Sequence, residues 1–133
     1  MAKQLRLVVV TPETTLLDEN VDSVRLPLYD RMIGLLPNRA PMIGRLGFGE
    51  MTVRVGGETR VWFVDGGFVQ MENNVASVLT HRAVPPERLD AAEAERRLAE
   101  ANALVPSTPA GLDAKEREQE RNRRIIAVAR KSR

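Results

Sequence analysis

At Pro85-Pro86-Glu87-Arg88-Leu89-Asp90-Ala91-Ala92-Glu93 the chain changes from one kind of structure to another. Two consecutive prolines offer no amide donors and hold φ fixed, so neither a helix interior nor a central strand runs through them. On the N-terminal side the dominant period is two. Leu5, Leu7 and Val9 alternate with Gln4, Arg6 and Val8; Val24, Leu26 and Leu28 with Ser23 and Arg25; Met51, Val53 and Val55 with Thr52 and Arg54. Val61 and Phe63 then alternate with Arg60 and Trp62. Such alternation marks strands with one buried face. Turn signals separate the runs: Pro12, Pro37-Asn38, Gly56-Gly57, Asp65-Gly66-Gly67 and Asn73-Asn74. Gly56-Gly57, between two alternating runs, has the pattern of a two-residue hairpin turn.

On the C-terminal side the period becomes helical. Asp90 and Glu93 stand at capping-box spacing, where Asp90 accepts from backbone N–H groups and Glu93 reaches back. Ala91, Ala94, Leu98, Ala101 and Val105 follow on one helix face. Val105-Pro106-Ser107-Thr108-Pro109-Ala110-Gly111 reads as a break, and Asp113-Ala114-Lys115-Glu116 repeats the capping pattern. The second helix carries Leu112, Lys115, Gln119, Asn122, Ile126 and Ala129 on the matching face, with a polar middle. Two helices on a short loop pack antiparallel. The expected class is α+β: an antiparallel β-sandwich over residues 1–84, then an antiparallel two-helix hairpin over 85–133. The seam of small and polar residues buries little area, so the hairpin is expected to separate at small cost.

Composition excludes several chemistries. Of 133 residues, 43% are hydrophobic and 29% charged, an ordinary globular balance. There is no cysteine, which removes disulfides, thiolate metal sites and cysteine nucleophiles. His81 is the one histidine, so a multi-histidine metal centre is removed too. Ser23, Ser77, Ser107 and Ser132 show no nucleophile-elbow pattern, and there is no P-loop. No apolar run approaches the ~20 residues that span a bilayer. The opening Met1-Ala2-Lys3-Gln4 lacks the marks of a signal peptide, so the cytoplasm or the cytoplasmic side of a membrane is the expected location. Net charge is +2. Residues 121–133 hold six basic groups (Arg121, Arg123, Arg124, Arg130, Lys131, Arg133) and no acid.

Several segments then resemble ATP synthase ε subunits of the bacterial F-type. Leu7-Val8-Val9-Val10-Thr11-Pro12-Glu13 is similar to the opening strand of that family, and Val24-Arg25-Leu26-Pro27 to its second. Gly34-Leu35-Leu36-Pro37-Asn38-Arg39-Ala40-Pro41 resembles its most specific motif, G-I-L-P-x-H-A-P. Asp65-Gly66-Gly67-Phe68-Val69, Asn74-Val75-Ala76-Ser77-Val78-Leu79 and Leu89-Asp90 follow in the family's order. The resemblance implies a non-catalytic rotor subunit of the central stalk, peripheral on the cytoplasmic face of the cell inner membrane. Its sandwich would dock on the γ subunit and the c-ring, and its hairpin would lie folded or rise toward the α and β subunits and hinder ATP hydrolysis. No cofactor is implied, and membrane association would run only through partners.

The resemblance also nominates residues. Tyr29, Asp30, Arg31, Met32 and Arg39, in the segment 29–42, would face the c-ring or γ. Arg39 replaces the family's usual histidine and stays charged at cellular pH, which argues against pH sensing there. Arg121, Arg123 and Arg124 would meet an acidic loop of the β subunit through charge-assisted hydrogen bonds. Asp90 stands where some bacterial members bind ATP through an I/L-D-x-x-R-A motif. Here Glu93 replaces the arginine, and a carboxylate repels phosphate, so capping accounts for Asp90 better. The alternatives are a nucleic-acid-binding module using the basic helix, a free-standing nucleotide sensor, and a jelly-roll enzyme. Four acids within residues 113–120 count against the first, and the single histidine against the last.

Overall fold

The computed structural model describes residues 3–131 and divides into two compact units, one ending at Val84 and one beginning at Pro85. Met1, Ala2, Ser132 and Arg133 lie outside the described residues. The first unit contains β1 (Leu5–Val10), β2 (Thr15–Val21), β3 (Ser23–Pro27), β4 (Met32–Leu35), β5 (Met42–Val55), β6 (Glu58–Glu72), β7 (Val75–Leu79) and β8 (Ala83–Val84). They pair in the order β2-β1-β7-β6-β5-β3-β4, with β8 on β6. Every pairing is antiparallel except that of β1 with β7, which is parallel.

The two long strands make this sheet a sandwich. β5 and β6 form one hairpin around Gly56 and Gly57, both at positive φ. Its open half, residues 42–46 against 67–71, carries β7, β1 and β2. Its closed half, residues 51–55 against 58–62, carries β3 and β4. Bending the ribbon between the halves brings the two groups face to face over one apolar cluster. Leu5, Leu7, Val9, Val24, Leu26, Met51 and Val53 all lie in that cluster, with Val69, Met71, Ala76 and Val78 from the strands between.

Two expectations fail at the bend. Asp65-Gly66-Gly67 is not a turn between strands; it lies inside β6. There β6 changes partner, since Phe63 and Val64 pair with β8 while residues 68–72 pair with β7. Gly67 has φ +113°, and a Cβ on it would lie 1.8 Å from the Leu79 carbonyl oxygen. Glycine marks close backbone approach here, not chain reversal. Register also reverses the expected faces of Trp62 and Phe63. Met51 pairs with Trp62 and Val53 with Arg60, so Trp62 packs on the main cluster while Phe63, though fully buried, lies outside it. Alternation shows that two faces exist; only pairing shows which is inward.

Surface pairs hold the first unit's edges. Arg6 donates to Asp18 at 2.8 and 2.7 Å from β1 to the edge strand β2. That hydrogen bond holds the Asp18 carboxyl below the usual carboxylate range, the guanidinium charge adding to it against some desolvation. Asp22 accepts from the Gly56 amide at 2.9 Å and from Gln4 at 3.2 Å.

The second unit opens with a 3₁₀ turn at Pro86–Arg88, followed by α1 (Ala91–Ala103) and α2 (Pro109–Lys131). Asp90 caps α1, its Oδ1 accepting from the Glu93 amide at 3.1 Å. The reciprocal half of the capping box is not formed. The Glu93 carboxylate instead accepts from Arg97 at 2.9 Å, a helical i,i+4 pair. α2 begins four residues before the expected Asp113. Thr108 Oγ1 accepts from the Gly111 amide at 3.0 Å, and Pro109 takes the first helical position, where its missing N–H costs nothing. The break is therefore residues 104–108. Val105 lies past the end of α1 and is 92% exposed, and Leu112 is 46% exposed, so neither joins the seam.

Candidate functional site

The β3–β4 hairpin builds the first surface. Pro27 pairs with Met32, and the Leu28 amide donates to the Arg31 carbonyl at 2.6 Å, closing a tight tip. Tyr29, Asp30, Arg31 and Met32 are all exposed on that tip. The tip is anchored on β5: the Tyr29 amide donates to the Arg45 carbonyl at 2.8 Å, and the Arg45 guanidinium lies 4.5 Å from the Tyr29 ring centroid. That stacking favours one orientation of an exposed aromatic.

Arg39 does not belong to this cluster. It follows β4, at the end away from the tip, in a turn where Asn38 has φ +66° and the Arg39 amide donates to the Leu36 carbonyl at 3.3 Å. That turn is tied to the β6–β7 turn by Asn38 N–H donating to Asn74 Oδ1 at 2.9 Å. The segment 29–42, expected as one loop, contains a strand that separates its two ends.

Sequence reading missed a neighbouring surface. Arg45 pairs with Phe68, Phe68 with Leu79, and Leu79 with Val10, a cross-strand row on the outer face of the sheet. In the next row Ile43 pairs with Gln70 and Gln70 with Ser77. Ile43 is 75% exposed, Phe68 57% and Leu79 53%. Three large apolar side chains on adjacent strands, beside an exposed tyrosine, form an apolar patch of the kind that marks an interaction site. The signal was parity: Phe68 shares its face with Gln70 and Glu72, not with the buried Val69 and Met71.

The basic end of α2 is largely engaged. Arg124 pairs with Glu120 at 2.8 Å, and Arg121 lies 3.8 Å from Glu118 and is only 19% exposed. Arg123 is exposed and, among the described residues, has no carboxylate partner. The three arginines do not present one cationic face; two are spoken for by acids one turn earlier. Asp90 is occupied by its capping bond. His81 is exposed on the segment between β7 and β8. Among the described residues no group of three or more metal-ligating side chains occurs, and no helix is long and apolar enough to cross a membrane.

Residues 4–86 match the family described as ATP synthase, Delta/Epsilon chain, beta-sandwich domain. An ATP synthase epsilon chain of Rhodopirellula baltica is 50% identical over 105 residues, covering 79% of this chain and 82% of that one. One of Leptospira interrogans is 38% identical over 106 residues, covering 80% and 84%. Among solved structures, a chain of the Euglena gracilis mitochondrial ATP synthase (OSCP/F1/c-ring) superposes with a TM-score of 0.81 at 23% identity, covering 93% of this chain and 80% of that one. One from the Tetrahymena thermophila mitochondrial ATP synthase (central stalk/c-ring) gives 0.78 at 13%, covering 96% and 97%. At such identities the structural likeness is one of fold, while the sequence matches carry descent: the chain belongs to the epsilon chains of the ATP synthase delta/epsilon family.

Proposed function

We propose that this chain is the non-catalytic rotor subunit of an F-type ATP synthase central stalk, joining γ to the c-ring and restraining ATP hydrolysis through its C-terminal helices. The observation that carries the docking half is the outer sheet face, where Ile43, Phe68 and Leu79 stand exposed beside the Tyr29-to-Met32 tip. The apolar row suits a packed, lasting contact, and γ is its partner. The tip, with one acid, one base, an amphipathic tyrosine and an apolar methionine, suits the loops of a c-ring. Arg39, at the other end of β4, makes a separate contact or none.

The restraining half rests on α2. Arg123 is the arginine best placed to reach an acidic loop of the β subunit, while Arg121 and Arg124 must first exchange Glu118 and Glu120 for it. Asp90 acts as a helix cap, and nucleotide binding forms no part of the proposal. The subunit sits peripherally, on the cytoplasmic face of the cell inner membrane, held there by its partners.

Native co-purification tests the assignment: the tagged chain should bring γ and the c-ring with it, and Phe68→Glu should reduce that recovery at least tenfold. Recovery of neither subunit with the unmodified chain contradicts the proposal. Replacing Arg121, Arg123 and Arg124 together by alanine should raise ATP hydrolysis by the assembled complex; unchanged inhibition removes the arginine contact.

A further inference from the structure

The helical unit is clasped at both ends and flawed in the middle. Near the outer end Arg130 bonds Glu95 across the seam. Near the loop Gln119 donates to Asn102 Oδ1 at 2.8 Å, and Lys115 Nζ donates to the Leu104 carbonyl at 2.9 Å. Between these clasps, on the same face of α2 as Lys115 and Gln119, lies Asn122, which is wholly buried. Its Nδ2 donates to the Glu118 carbonyl at 2.8 Å and to Glu118 Oε1 at 2.9 Å. Its Oδ1 is buried and has no donor. Turning the amide over does not help, because both neighbours of Nδ2 are acceptors. The antiparallel register set by the clasps places Asn122 opposite residues 98–101 of α1, where Leu98, Ala99 and Ala101 carry no side-chain donor and Glu100 is exposed.

We infer that Asn122 is the release point of the hairpin: a buried acceptor, satisfied only when the helices part, that keeps the closed arrangement within easy reach of an open one. Opening hydrates Oδ1 or offers it to a donor on another surface, so the closed state alone bears the desolvation penalty. Leucine at this position orphans nothing new. The Glu118 carbonyl is engaged by the helical backbone ladder, and its carboxylate stays beside Arg121. The inference deepens the proposed gating, on which it rests for its consequence in the complex but not for the opening itself.

Hydrogen exchange on the full chain tests it. Asn122→Leu should slow exchange of α1 and α2 amides roughly tenfold or more, with the strands unchanged. Asn122→Asp, which puts a carboxylate beside Glu118, should speed the same amides by a similar factor. Exchange in Asn122→Leu as fast as in the unmodified chain, or an Asn122→Asp chain that matches it, overturns the inference. ATP hydrolysis by complexes carrying Asn122→Leu is read separately. A hairpin that closes without changing hydrolysis leaves the release point standing and removes the gating role.

Discussion

The two units of this chain solve the same problem, burying apolar surface, by opposite means. The sandwich closes over a continuous cluster of leucines, valines and methionines, many of them at 0% exposure. The hairpin has alanines on α1 and, on α2, Lys115, Gln119 and Asn122 where a stable bundle would place leucine. Buried area at ~25 cal/mol per Å² therefore favours the first heavily and the second slightly. Under the proposed gating, one unit is held firmly while the other changes shape, and a moving element is drawn from the low-stability end of a structure. The hairpin does have some apolar anchorage. Ile125 and Val128 are buried together with Ile126 and Ala129, and α2 also meets the Pro86–Arg88 turn.

The sandwich is most vulnerable where backbone meets backbone. Gly67→Ala should destabilise the first unit by about 3 kcal/mol or more, or prevent its folding, through positive φ and the Leu79 carbonyl. Urea unfolding followed by the fluorescence of Trp62, the sole tryptophan, reads this directly. Leu7→Ala, at a fully buried core position, should cost roughly 2–5 kcal/mol by the same readout and leave helical ellipticity nearly intact. In the hairpin, Thr108→Ala and Asp90→Ala each remove one cap and should cost about 1 kcal/mol, seen as earlier loss of ellipticity at 222 nm.

The smallest effect is electrostatic. Asp18 has a folded-state pKa below its unfolded value, so its contribution is fully present above the unfolded pKa of about 3.9 and is lost as pH falls through the lower folded value. Asp18→Asn should remove only this share of acid sensitivity, measured as the difference in urea midpoint between neutral and acid pH. Both side chains are largely exposed, so the change should be slight.

Much of this was legible in the sequence because it depends on local pattern. Leu5, Leu7 and Val9 announce their face, Gly56-Gly57 its turn, and Pro85-Pro86 the change of period. What was not legible depends on pairing between distant segments. Phe63 and Trp62 exchange faces because Met51 stands opposite Trp62. β2 went unread because Thr15 to Val21 is an edge strand without clean alternation. Gly67 resembles a turn until Leu79 is placed against it. Among the candidate site residues, Tyr29, Asp30, Arg31 and Met32 lie together on one tip, and β4 separates Arg39 from them, which a loop-like stretch of Gly and Pro does not reveal. Ile43 and Leu79 matter only as neighbours across strands, and no single segment shows that.

One unfolding experiment on the intact chain bears on the central claim, that one unit is built to hold and the other to give way. Trp62 fluorescence and ellipticity at 222 nm are followed together through a urea titration. Two transitions are expected, with ellipticity falling first and fluorescence holding until higher urea. A single transition in which both signals move together would contradict it.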